Sequence, residues 1–190
     1  ELVEARVGPL GGGTADGGTN IWFGGVEENW GRCTIEGGDV ETIGNGVDAD
    51  YFSPARDYLN PYPSDVLGVV FTGAMDYWPN IDAVSWFAER IFPAVREAVP
   101  AAQFTIVGSR PGEAVRALAR QPGVVVTGSV PDVRPYLAHA ACAVAPLRIA
   151  RGVQNKVLEA MAMARPVVAS AQAAEGIRAA FARCFLAFEQ

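Results

Sequence analysis

From residue 66 to residue 170 the chain alternates short unbroken apolar runs with stretches whose apolar residues recur every three or four positions, and few folds accept that order. Val66-Leu67-Gly68-Val69-Val70-Phe71, closed by Thr72-Gly73, has no polar face, as expected of a strand buried on both sides of a parallel sheet. Residues 79–99 then carry Ile81, Val84, Phe87, Ala88, Ile91 and Val95 at helical spacing. Pro79 suits a first turn, with Asn80 and Asp82 near the positive end of the dipole, and Pro93 predicts a kink or a break. The pattern repeats, with strands over residues 104–108, 124–128, 142–146 and 167–170. Between them helices are expected over 113–120, 132–139 and 153–163, and a last one after Glu175. Such alternation over short loops gives a doubly wound α/β domain, a parallel sheet covered on both faces.

In sheets of this kind ligands bind beyond the carboxyl ends of the strands. Gly73, Gly108 and Gly128 each follow a predicted strand, where a missing Cβ permits either a tight turn or close approach of a ligand to the backbone. Residues 1–40 lack any such pattern. Around Gly11-Gly12-Gly13-Thr14-Ala15-Asp16-Gly17-Gly18-Thr19 they read as an irregular glycine-rich segment, a linker or the remnant of a preceding domain, with the regular domain over 41–190.

The stretch 148–168 holds the one lysine of the sequence, Lys156, and reads as a strand end, a glycine-containing turn, a helix and a strand opened by Pro166. A helix beginning near Gly152 would aim the free amides of its first turn, around Gly152, Val153 and Gln154, beyond the sheet. Lys156 and Glu159 are three apart and Arg151, Asn155 and Glu159 four apart, so all share one face, with Val157, Met161 and Ala164 opposite. The spacing admits two readings. Arg148 and Lys156 neutralise an anionic ligand while Glu159 accepts hydrogen bonds from hydroxyls, or Lys156 and Glu159 form a surface ion pair worth roughly 0.2–0.5 kcal/mol.

Half of the 190 residues are hydrophobic and 19% are charged, a globular composition with enough mass for a core. A net charge of −6 argues against non-specific binding of nucleic acid, which needs a basic face. Cys33, Cys142 and Cys184 are widely spaced and odd in number, so reduced thiols in a cytoplasmic protein are expected rather than disulfides or a metal site. The single histidine, His139, falls near the end of a predicted helix and reads as structural or solvent-facing rather than catalytic. No apolar run approaches the roughly 20 residues that span a bilayer. No basic leader follows Glu1, so no signal peptide is expected.

Asn45-Gly46-Val47-Asp48 with Phe52-Ser53-Pro54, then Phe71-Thr72-Gly73-Ala74-Met75, Ile106-Val107-Gly108, Val126-Thr127-Gly128-Ser129-Val130 and the run from Gly152 to Ala162 occur in an order that resembles glycosyltransferases of family 4, which have the GT-B fold. The branch it resembles most is that of bacterial exopolysaccharide systems. The resemblance runs from about residue 41 nearly to the C-terminus. It implies the Rossmann-like C-terminal half of a GT-B fold, the half that binds a nucleoside-diphosphate sugar, cut short at its C-terminal end. Carried over by position, Arg148 and Lys156 match the diphosphate-binding cations and Glu159 the glutamate that holds the ribose. The backbone at Gly108, Ser109 and Arg110 and at Gly128, Ser129 and Val130 would line the base. Glu175, with Gly176, resembles a loop near the donor. Arg151 stands where the family pattern has a second glutamate, near the donor sugar.

The resemblance further implies a retaining hexosyl transfer in polysaccharide synthesis with no metal and no other cofactor. Fixed cations and a helix N-terminus would stabilise the departing nucleoside diphosphate. The acceptor, a glycan or a lipid-linked sugar, would be held by an N-terminal domain that this sequence lacks. The protein would be cytoplasmic, at the inner face of the membrane if it meets one. This chain alone would bind a nucleoside diphosphate weakly without turning over donor at an appreciable rate. Two alternatives stay open at this point, a nucleotide-sugar 2-epimerase and a Rossmann-like module without chemistry.

Overall fold

The computed structural model describes residues 20–23, 31–34, 46–175, 177 and 185–188. The chain divides into two units, Glu1–Gly46 and Val47–Gln190. In the first, β1 (Asn20–Phe23) pairs antiparallel with β2 (Gly31–Thr34), Asn20 opposite Thr34 and Phe23 opposite Gly31. These two strands lie within the glycine-rich segment 1–40, where the sequence pattern assigned no element. Asn20-Ile21-Trp22-Phe23 is rich in the β-branched and aromatic residues that suit a pleated surface, and the glycines on either side hid it.

The second unit is built on a six-stranded sheet of order β5-β4-β3-β6-β7-β8. Its strands are β3 (Leu67–Thr72), β4 (Ala102–Val107), β5 (Val124–Gly128), β6 (Cys142–Ala145), β7 (Val167–Ser170) and β8 (Phe185–Phe188), and every pairing is parallel. Helices α1 (Trp78–Trp86), α2 (Phe92–Ala98), α3 (Glu113–Ala117), α4 (Arg134–His139), α5 (Asn155–Ala162) and α6 (Ala171–Ala174) fill the crossovers. The doubly wound α/β reading holds. The sheet centre is fully buried, with Val70 and Phe71 of β3 beside Phe104, Ile106 and Val107 of β4, as continuous apolar strands require.

Pro93 neither breaks the long helix nor simply bends it. The stretch Phe87–Ile91 widens into a π-turn, and the Phe92 amide reaches back five residues to the Phe87 carbonyl. Pro93 has no N–H and its ring crowds the preceding turn, so one extra residue in that turn absorbs the conflict. Phe87 and Phe92 then both pack on Phe104, with ring centres 4.7 and 5.8 Å away.

Two predicted boundaries shift. α5 starts at Asn155 rather than near Gly152, which has a left-handed φ of 65°. Its core face is Val157 and Ala160, continued by Met163, whereas Met161 is only partly buried and Ala164, at φ 54°, is exposed where the helix ends. The helix expected after Glu175 lies largely outside the described residues. A short α6 precedes it, capped by the Ser170 hydroxyl, which accepts from the Ala173 amide at 3.2 Å. The strand β8 is an addition that the pattern of the sequence did not reveal.

Candidate functional site

The strand order reverses between β3 and β6, because β3, β4 and β5 run to one edge before β6 starts beside β3 on the other side. That switch point opens a crevice beyond the carboxyl ends of the two strands, the place where α/β sheets bind ligands. The Thr72-Gly73 end of β3 and the loop from Leu147 to Gln154 after β6 meet there.

Two of the three strand-end glycines serve the chain itself. A Cβ on Gly108 would fall 1.6 Å from the Gly73 carbonyl oxygen, so the two backbones touch where any other residue would collide. The Gly73 amide donates to Val107 O at 3.0 Å, the Met75 amide to Ser109 O at 2.8 Å and the Gly108 amide to Gly128 O at 3.2 Å, which laces the three strand ends together. Gly128 differs. It has a left-handed φ of 73° with open space around the missing Cβ. It lines an open pocket of about 520 Å³ with Arg110, Arg116, Val126, Thr127 and Ser129. Of the residues expected to line a base, Gly128, Ser129 and Arg110 are gathered here. Val130, next along the chain, packs its side chain against the core, as Val126 also does. Arg110 adopts φ 52° and pairs with Asp76, its Nε 2.8 Å from Oδ2.

Lys156 rises from the first turn of α5 into the crevice beside Gly73. Its Nζ donates to Asn80 Oδ1 at 2.6 Å and stands 4.7 Å from the centre of the Phe71 ring. The surface ion pair with Glu159 is thus not what the side chain makes. Burial pulls the Lys156 ammonium down to about 8, and the charge of Glu159 only partly opposes this. Burial likewise pushes the Glu159 carboxyl above the usual carboxylate range, with Lys156 acting the other way. Asn80 is only 4% exposed, and its Nδ2 donates to Ala74 O at 2.9 Å. A side chain on Gly73 would meet that amide, 2.8 Å from Asn80 Nδ2 and 3.5 Å from Lys156 Cε.

Arg148, at the mouth of β6, lies across α1. Its Nε donates to Asp82 Oδ2 at 3.0 Å, Nη2 pairs with Asp82 Oδ1, and the guanidinium carbon stands 5.8 Å from the Trp86 ring centre. Leu147, just before it, is fixed by Ser170, whose hydroxyl donates to Leu147 O at 2.5 Å. Arg151 is exposed, and its carbonyl and that of Gly152 both accept from Gln154 Nε2 at 3.2 Å, so Gln154 closes the turn with its own side chain. Val153 is half-buried in that turn, and Glu175 is exposed just beyond α6. His139 donates through Nε2 to Tyr58 O at 2.7 Å at the end of α4 that leads into β6, the amino end of the sheet and away from the crevice. Among the described residues no three His, Cys, Asp or Glu side chains gather as a metal ion needs, and no described helix is long and apolar enough to cross a membrane.

Asn80, Asp82, Asp76 and Arg116 were not among the expected site residues. For Asn80 a signal existed: residues 80, 84, 87 and 91 form one helical stripe, and a polar residue heads an otherwise apolar row.

A family model described as Glycosyl transferases group 1 matches residues 67–185, more than half of the chain. Among solved structures, a glycosyltransferase from Rickettsia africae ESF-5 superposes with a TM-score of 0.53 at 20% identity, over 76% of this chain and 41% of that one. TarM of S. aureus gives 0.53 at 20% identity, over 77% and 28%. Alr3699/HepE of Anabaena, in complex with UDP and glucose, gives 0.50 at 16%, over 77% and 41%. At these identities the likeness is one of fold, and the chain spans less than half the length of each. The family match, the parallel sheet and the crevice at its switch point agree, and the chain belongs to the group 1 glycosyl transferases, with a second unit that has the Rossmann-like fold of GT-B enzymes.

Proposed function

We propose that the crevice between β3 and β6 binds the nucleoside diphosphate of a sugar donor, and that the chain is the donor-binding, C-terminal part of a retaining hexosyltransferase. The observation that carries this reading is the Lys156 ammonium, held largely out of water beside Gly73 at the start of α5. A buried cation without a carboxylate against it is costly unless an anion comes to it. The first-turn amides of α5 add to the attraction. In this reading Glu159, one turn along the same helix, accepts from the ribose hydroxyls. The pocket of Arg110, Arg116 and the Thr127-Gly128-Ser129 backbone receives the base. The complex of Anabaena HepE with UDP and glucose supports a ligand of this class.

As the bond from sugar to diphosphate breaks, negative charge grows on the leaving oxygen, and in this reading Lys156 and the α5 amides would meet it. The role asks for no metal and no nucleophilic side chain. Arg151, in place of an acidic residue, would stand near the sugar. The acceptor, a glycan or lipid-linked sugar, would be bound by a further domain, as part of bacterial polysaccharide synthesis at the cytoplasmic face of the membrane. This chain alone would hold a nucleoside diphosphate weakly and release no sugar. Calorimetric titration with UDP and GDP tests the assignment: binding is expected for one of the two, weakened by about tenfold or more in Lys156→Met and in Glu159→Gln. Titrations unchanged by both substitutions would remove the site.

A further inference from the structure

The two cations of the crevice are held by the same helix in opposite ways. Arg148 meets the carboxylate of Asp82, which neutralises it. Lys156 meets the amide of Asn80, which cannot. Both partners lie in the first half of α1, two residues apart.

The orientation of the Asn80 amide is set by its surroundings. Nδ2 donates to Ala74 O, which can only accept, so Oδ1 must be the end that faces Lys156. The side chain is almost completely buried, and both ends of the amide are used. Gly73 leaves the space in which this contact forms, since a Cβ there would strike Asn80 Nδ2. From β3 the remaining neighbour of the ammonium is the face of the Phe71 ring. The titratable group whose charge reaches Lys156 is Glu159 on α5, and the group facing it from α1 is the neutral Asn80.

We infer that Asn80 is a positioning residue for Lys156: its amide oxygen fixes the ammonium beside Gly73 without neutralising it, which leaves the positive charge for the diphosphate. The inference rests on the donor-site reading given above. A carboxylate at the same place would hold the lysine equally well and cancel its charge, as Asp82 does for Arg148. An apolar residue would leave the ammonium both unanchored and desolvated. A neutral acceptor avoids both outcomes.

The experiment is calorimetry of UDP (or GDP, whichever binds more tightly) to the chain and to its Asn80→Asp, Asn80→Ser and Lys156→Met variants, near pH 8 in two buffers of different ionisation enthalpy. For the native chain, binding should draw about half a proton onto Lys156 at that pH. Asn80→Asp should weaken binding about tenfold and abolish the proton uptake, because a carboxylate keeps the lysine charged beforehand. Asn80→Ser, a shorter neutral acceptor, should retain the uptake and lose less affinity. A merely structural Asn80 would change affinity in both variants alike and leave the uptake in place, and that result overturns the inference. So does binding within about twofold of native in both Asn80 variants while Lys156→Met still loses it. If Lys156→Met binds UDP as tightly as the native chain, the donor-site reading itself falls. Thermal melts of each variant identify any that fail to fold, and Asn80→Asp and Asn80→Ser then decide the matter independently.

Discussion

Arg148 Nε lies 3.0 Å from Asp82 Oδ2, and the pair is lopsided: the arginine side chain is 42% exposed and the aspartate 14%. The charge proposed for a diphosphate is therefore already shared with α1. Asp82→Asn should free the guanidinium and tighten UDP binding by a few-fold, at a stability cost of at most about 1 kcal/mol for a half-exposed pair. Titration and urea denaturation of the same variant check both parts. Weaker binding in Asp82→Asn would instead mean that the carboxylate orients Arg148 toward the ligand.

Lys156 should leave a mark on stability against pH. Between about 8 and 10.5 the unfolded chain still carries a proton that the folded chain has released, so stability rises with pH across that window. Urea midpoints at both ends of the window should show the rise, and Lys156→Met should flatten it. The deficit of the variant should therefore be smallest at the lower end of the window, where the native chain still bears the cost of a buried charge, and grow toward the upper end.

Glu159 works in the other direction. Its carboxyl titrates above the usual range, so the folded chain keeps a proton that the unfolded chain has lost, and stability falls as pH rises through the interval between the two values. Glu159→Gln should remove that fall and leave the protein as stable or slightly more stable near neutrality, while weakening UDP binding about tenfold. A variant that loses stability near neutrality contradicts the sign.

The strand-end glycines should separate cleanly. Gly108→Ala drives a methyl group into the Gly73 carbonyl, 1.6 Å away, and should cost more than about 3 kcal/mol or prevent folding. Gly128→Ala meets open space and pays only for its left-handed φ of 73°, about 1–2 kcal/mol. Denaturation curves of the two variants measure the difference.

The central strands were legible because burial on both faces leaves no polar alternation, as in Val69-Val70-Phe71 and Phe104-Thr105-Ile106. That a ligand would sit beyond the carboxyl ends of the strands was legible, as was the place of Lys156 and Glu159 on one helix, but the strand order that opens the crevice between β3 and β6 was not. The partners of the cations were not legible. Asn80 and Lys156 are 76 residues apart, Asp82 and Arg148 66, and only the packing of α1 against the β6–α5 loop brings them together. Pro93 announced an irregularity but not its kind, since a kink, a break and a π-turn all relieve a missing amide. β1 and β8, each of four residues, are too short for periodicity to speak, and pairing with a neighbour is what makes them strands.

The widened turn at Phe87–Ile91 changes the phase of the helix that crosses from β3 to β4. In an ordinary helix residues five apart point about 140° away from each other, whereas here Phe87 and Phe92 both reach Phe104. The extra residue thus gives one strand residue two aromatic neighbours from a single crossover, and a helix without it would swing one of the two rings off the sheet.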